Sequence, residues 1–121
     1  MADDHTEQII GAAIEVHKVL GPGLLESIYE EAFAHELGLR GIPFKRQVAI
    51  DVLYKDKAIH GQRVDLTVFD TVVVEIKAPR ELPEVATAQV LSYLKATGLK
   101  RALLINFGAM RLADGIKRIS L

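Results

Sequence analysis

Two apolar runs separated by two polar residues dominate the middle of the chain. Val64–Phe69 and Val72–Ile76 flank Asp70-Thr71 within the stretch RVDLTVFDTVVVEIK. Successive side chains of a strand point to opposite faces. Alternation then places Arg63, Asp65 and Thr67 on one face of the first run, and Val73, Glu75 and Lys77 on one face of the second. Val72, Val74, Ile76 and Ala78 fill the other face. A strand this apolar belongs at the centre of a sheet, covered on both sides. Charge there is costly unless it is paired, hydrogen-bonded or bound to a metal. Asp65, Glu75 and Lys77 therefore require partners that the fold must provide.

Two arrangements meet that requirement. In one, Lys77 makes a cross-strand ion pair with Asp65 or Glu75. In the other, the two carboxylates offer hard oxygen ligands to Mg²⁺ or Mn²⁺. Lys77, two residues after Glu75 and on its face, would then reach a water or a phosphate at the ion. The bare pattern fits both.

The chain has 121 residues, enough for a single domain with one core. Half of them are hydrophobic, as a packed globular fold requires. The absence of cysteine excludes disulfides and thiolate zinc sites and fits a reducing compartment. A formal net charge of -1 argues against wholesale coating of nucleic acid, so any such site would be a local basic patch. No apolar run approaches membrane-spanning length, and MADDHTEQ is too acidic and polar for a signal peptide. A soluble cytoplasmic protein is expected, with residues 1–5 a flexible tail.

The periodicity predicts a helix from Thr6, with Ile9, Ile10, Ala13, Ile14, Val16, His17 and Leu20 at helical spacing, ended by Gly21-Pro22-Gly23. A second helix is expected over Leu24–Leu37, with Ile28, Ala32 and Phe33 inward. Phe44–Tyr54 and Ala58–Phe69 read as strands joined at Lys55-Asp56-Lys57, with a bend at Gly61. The Val72–Lys77 strand follows. Glu84–Thr97 is helical up to Gly98. Ala102–Phe107 is a buried strand, and Ile116–Leu121 a small terminal one after the Asp114-Gly115 turn. Helices should therefore cover a small mixed sheet, with the first three strands in an antiparallel meander and a helix crossing over to the fourth.

Other residues can join the central carboxylates. Gln89 and Tyr93 stand four apart and share one helix face, either as a half-buried polar edge or over the charged site. Glu26 suits a helix dipole at the start of the second helix, or adds a further carboxylate to the metal site. Glu30 and Glu31 read as a solvated face. His17 reads as a packing or capping residue more readily than as a ligand. Lys45, Arg46 and the other basic residues read as ordinary surface charges, some available to hold phosphate.

Taken together, five motifs occur in order: Gly23-Leu24-Leu25-Glu26-Ser27-Ile28-Tyr29, Arg63-Val64-Asp65-Leu66, Val74-Glu75-Ile76-Lys77-Ala78, Gln89-Val90-Leu91-Ser92-Tyr93 and Leu104-Ile105-Asn106-Phe107-Gly108. In this the chain resembles the GxxExxY proteins, a branch of the PD-(D/E)XK nuclease superfamily. Each motif is weak alone, and their order and spacing carry the resemblance over about Ile9 to Leu121. The resemblance implies a restriction-endonuclease-like α+β fold with an α-β-β-β-α-β core. It implies a metal-dependent nuclease acting on DNA or RNA, with Mg²⁺ or Mn²⁺ held by Asp65 and Glu75 and water oriented or activated by Lys77. Gln89 and Tyr93 match the QxxxY element of RecB-like members, and Glu26 the first-helix glutamate. Val64 stands where the superfamily's name has proline. Two alternatives remain on the same fold: a non-catalytic nucleic-acid-binding module, and a protein-interaction module whose carboxylates only make ion pairs. So small a domain also fits work as a homodimer or beside a protein partner.

Overall fold

The computed structural model describes residues 4–121. Among these, one five-stranded sheet in the order β1-β2-β3-β4-β5 separates two helical layers. In chain order the elements are α1 (Asp4–Leu20), α2 (Glu26–Leu39), β1 (Phe44–Tyr54), β2 (Lys57–Val68), β3 (Val72–Lys77), α3 (Val85–Thr97), β4 (Arg101–Asn106), a short 3₁₀ turn (Leu112–Gly115) and β5 (Ile116–Ser120). β1, β2 and β3 form the expected antiparallel meander. β3 and β4 are parallel, with α3 as the crossover that parallel neighbours need. β5 closes the sheet antiparallel to β4.

Local chemistry accounts for the connections. Lys55 and Asp56 both take positive φ, the geometry of a tight two-residue hairpin between Tyr54 and Lys57. The register slips near Gly61 (φ 122°), where the bend was expected. Gly98 ends α3 in the left-handed conformation, its N–H bonded to Leu94 O.

Each sheet face has its own core. Ile9, Ala12, Ala13 and Val16 of α1 and Tyr29, Phe33 and Leu37 of α2 pack on Leu66, Val68, Val74, Ile76 and Ile105. Ala86, Val90, Tyr93 and Leu94 of α3 pack on Val64, Val73, Ala102 and Leu104. Burying both faces is why β3 and β4 are almost continuously apolar.

Several details depart from the expectation. α1 already includes Asp4 and His5, ahead of the expected Thr6, and His5 stacks on Phe69 at 4.0 Å and meets Thr71 Oγ1 at 3.0 Å. Of the expected tail, residues 1–3 lie outside the described residues. Ile14 and Leu20 are exposed. On α2 the inward face runs through Tyr29, Phe33 and Leu37, leaving Ile28 exposed. β2 stops at Val68, because Phe69 and Asp70 both take positive φ in the turn. Glu30 is not solvated: it is buried between Arg46 and Gln47. No helix among the described residues is long and apolar enough to cross a membrane.

Candidate metal centre

The β2–β3 ladder runs from Val68↔Val72 to Leu66↔Val74 and stops there. At the next position Asp65 and Glu75 oppose each other, and their side chains replace the missing backbone bonds. Asp65 N–H donates to Glu75 Oε1 at 2.8 Å, and Ile76 N–H donates to Asp65 Oδ2 at 2.8 Å. Each bond to a carboxylate contributes roughly 1.5–3 kcal/mol. One oxygen of each acid is thereby fixed, and the other stands outside these two backbone bonds.

Neither acid is comfortable as an anion. Burial, then the charge of Asp65, push the Glu75 carboxyl up to about 8, against the Asp65 N–H and the nearby Lys77 charge. Burial also raises Asp65, with the Ile76 N–H as the main opposing influence and Glu30 adding repulsion. Two crowded carboxylates in low dielectric favour either a shared proton or a cation. They fit a hard divalent ion, which needs few protein carboxylates and completes its shell with water or substrate oxygens. Among the described residues no group of three or more His, Asp or Glu side chains is placed to hold a metal ion.

Lys77 makes no ion pair within 4 Å of either acid among the described residues, contrary to a cross-strand bridge. Its charge nevertheless reaches Glu26, Asp65 and Glu75. Lys77, Glu26 and Gln89 line one open cleft of about 820 Å³, with Leu25, Gln62, Pro79 and Val85 among its other walls. Glu26 is raised chiefly by burial, with Lys77 lowering it and Asp65 raising it. Tyr93 is buried on the α3 side, and burial followed by the charges of Glu75 and Asp65 pushes its hydroxyl up to about 12. A larger groove of about 1060 Å³ between the β1–β2 hairpin and α3 contains none of these groups, so size does not choose the site.

Two residues with no predicted role hold the cleft in shape. The Tyr29 hydroxyl donates to Gly21 O and accepts Leu24 N–H at 3.1 Å, while its ring stacks on Phe107 at 4.8 Å. It thus ties down the loop that delivers Glu26. Gly108 lies against the exit of β3: a Cβ there would stand 2.4 Å from Ala78 O and 2.2 Å from Pro79 O. The signal for both was present in the motifs, as their terminal tyrosine and glycine. His17 is a packing residue, with Nε2 2.8 Å from Ala109 O.

Residues 3–119 match the PD-(D/E)XK nuclease superfamily. The chain belongs to that superfamily. The five-stranded mixed sheet with its helices on both faces agrees with a restriction-endonuclease-like fold. No curated protein and no solved structure matches the chain. Members of the PD-(D/E)XK superfamily generally use divalent ions, in keeping with the donor set at the fork.

Proposed function

We propose that this PD-(D/E)XK protein is a Mg²⁺- or Mn²⁺-dependent nuclease of the GxxExxY branch, hydrolysing phosphodiesters in DNA or RNA. The carrying observation is the Asp65–Glu75 pair, locked by two backbone bonds at the point where β2 and β3 part. In this reading Asp65 and Glu75 hold the ion. When bound, it supplies charge stabilisation at the phosphate oxygens and lowers the pKa of water.

The chain's own residues do the rest. Lys77 lines the cleft with Glu26 and Gln89 and makes no ion pair among the described residues, so its ammonium orients water or offsets charge developing on the phosphate. Gln89 lines the same cleft and positions substrate through its amide. Tyr93, kept neutral, lies near enough to feel the charges of Glu75 and Asp65 and supports the site from α3. Glu26 adds negative charge at the mouth, acting on the ion directly or through water. The Pro79–Pro83 connection and Leu25 shape the approach of the nucleic acid.

The test is a cleavage screen over single- and double-stranded DNA and RNA with Mg²⁺ or Mn²⁺. Cleavage should stop with chelator and fall by orders of magnitude in Asp65→Ala, Glu75→Ala and Lys77→Ala. Cleavage that persists in a folded Glu75→Ala/Lys77→Ala double variant would refute the assignment. A wild type that binds no divalent ion at millimolar concentration would favour an interaction module on the same fold.

A further inference from the structure

Gln47 lies in the middle of β1, far from any hairpin turn, yet its φ is 51°. A non-glycine residue in the left-handed region costs roughly 1–3 kcal/mol and persists only where its surroundings impose it. The strain falls between the pairs Arg46↔Leu66 and Val48↔Val64, at the position facing Asp65. Both strands change faces there. Phe44 and Leu66 pack toward α1 and α2, whereas Val48 and Val64 pack toward α3. Simple alternation, which puts Arg63, Asp65 and Thr67 on one face, therefore fails at Asp65.

Both ends of Gln47 are held. Its carbonyl accepts Arg63 Nη1 at 3.0 Å. Its amide Nε2 donates to both oxygens of Glu30, at 3.0 and 3.1 Å. Glu30 is buried, and Arg46 grips it through Nε and Nη2 at 3.2 and 2.9 Å while also bonding Glu31. Gln47 faces Asp65 across the β1–β2 ladder, between the pairs Arg46↔Leu66 and Val48↔Val64, and its amide favours the charged form of that acid. The left-handed turn thus directs an uncharged donor into a space between two carboxylates on different elements.

We infer that Gln47 is a positioning residue: clamped by Glu30 and Arg46, it fixes the Asp65 carboxylate in the orientation that receives the divalent ion. This rests on Asp65 being a ligand, as proposed above. Partners of this kind orient metal ligands, and their loss typically weakens binding by about 10–100-fold. The amide suits the task better than a cation, because it is held by Glu30 opposite Asp65 without neutralising the site.

Calorimetric titration of the full chain with Mn²⁺, paired with urea unfolding, separates orientation from stability. Glycine adopts this φ without strain and alanine does not. Gln47→Gly should therefore be more stable than Gln47→Ala, while both should bind Mn²⁺ at least about tenfold more weakly than wild type. Affinity that follows the stability difference between the two variants overturns the inference. So does wild-type affinity in both variants when Asp65→Ala abolishes binding, an outcome that leaves the metal site itself standing. A wild type that takes up no Mn²⁺ removes the metal-site reading, and this inference with it.

Discussion

The carboxylate of Glu75 accepts the N–H of Asp65, and that of Asp65 accepts the N–H of Ile76, each at 2.8 Å. Each acid is thus fixed by the strand that carries the other. The fork between β2 and β3 holds its shape through the same side chains that create its negative charge. Occupancy by a proton or a cation should therefore be felt in the stability of the whole sheet.

That linkage gives a pH prediction. Glu75 is raised from 4.5 to about 8 in the folded protein. The folded state then keeps a proton that the unfolded chain releases, so stability without metal falls as pH rises between about 4.5 and 8, and levels off above. The slope cannot exceed about 1.4 kcal/mol per pH unit for one proton. Asp65, raised as well, acts in the same direction. Urea unfolding in chelator should show a lower midpoint at pH 8 than at pH 5, and Glu75→Gln should flatten the trend. Mn²⁺ should stabilise the wild type more at pH 8 than at pH 6, because it competes with the proton. A wild-type midpoint that rises with pH across this window would contradict the buried-acid assignment.

The fold was legible in the sequence where local rules act alone. The β1–β2–β3 meander followed from alternating runs and tight turns, and the β4 crossover from a helix-length segment between two apolar strands. The carboxylates stood out because charge in a continuously apolar strand needs a reason. What escaped depended on contacts distant in the chain. Glu30 resembles its neighbour Glu31 until Arg46 and Gln47 are brought beside it, and only then is it buried. No alternation rule anticipates a left-handed glutamine, so the face change at Gln47 and Asp65 was hidden. On α2 the inward Phe33 was legible and Ala32 does pack on the core, but Ile28 was expected inward where Tyr29 is, because both are large and apolar and only the packing on Phe107 separates them. The cleft that gathers Glu26, Lys77 and Gln89 was foreshadowed by motif order, and Tyr29 by its place in the first motif, while the partners of its hydroxyl, Gly21 O and Leu24 N–H, were not.

Tyr29→Phe tests that loop. The stack on Phe107 would remain, but the bonds to Gly21 O and from Leu24 N–H would go. A loss of about 1–2 kcal/mol in unfolding free energy is expected, since buried polar groups are left without a partner. Cleavage should also decline through movement of Glu26, whereas Mn²⁺ affinity at Asp65 and Glu75 should change little. Unaltered stability would show that the hydroxyl does not anchor the loop.

Glu26→Gln should separate a charge effect from a ligand effect. Glu26 lines the cleft and feels both Lys77 and Asp65. Removing its charge should weaken Mn²⁺ binding by several-fold, well short of the abolition expected for Asp65→Ala. Titration calorimetry on the two variants side by side makes the comparison. Equal losses would make Glu26 a direct ligand, and no loss would reduce it to a helix-dipole residue.

Lys77→Met offers the sharpest division between holding an ion and performing chemistry. The ammonium lies near three carboxylates and lowers the pKa of each. A like-charged neighbour repels a divalent ion, so its removal should leave Mn²⁺ affinity unchanged or tighter. The same removal deletes the donor that orients water or offsets charge on the phosphate. Loss of one such group costs about 10²–10³ in turnover. Methionine keeps much of the side chain's length and apolar bulk, so stability should shift by less than about 1 kcal/mol. Tight Mn²⁺ binding, a native unfolding midpoint and cleavage reduced at least about a hundredfold together would place Lys77 in the chemical step. Retained cleavage with tighter metal binding would instead confine Lys77 to balancing charge at the fork.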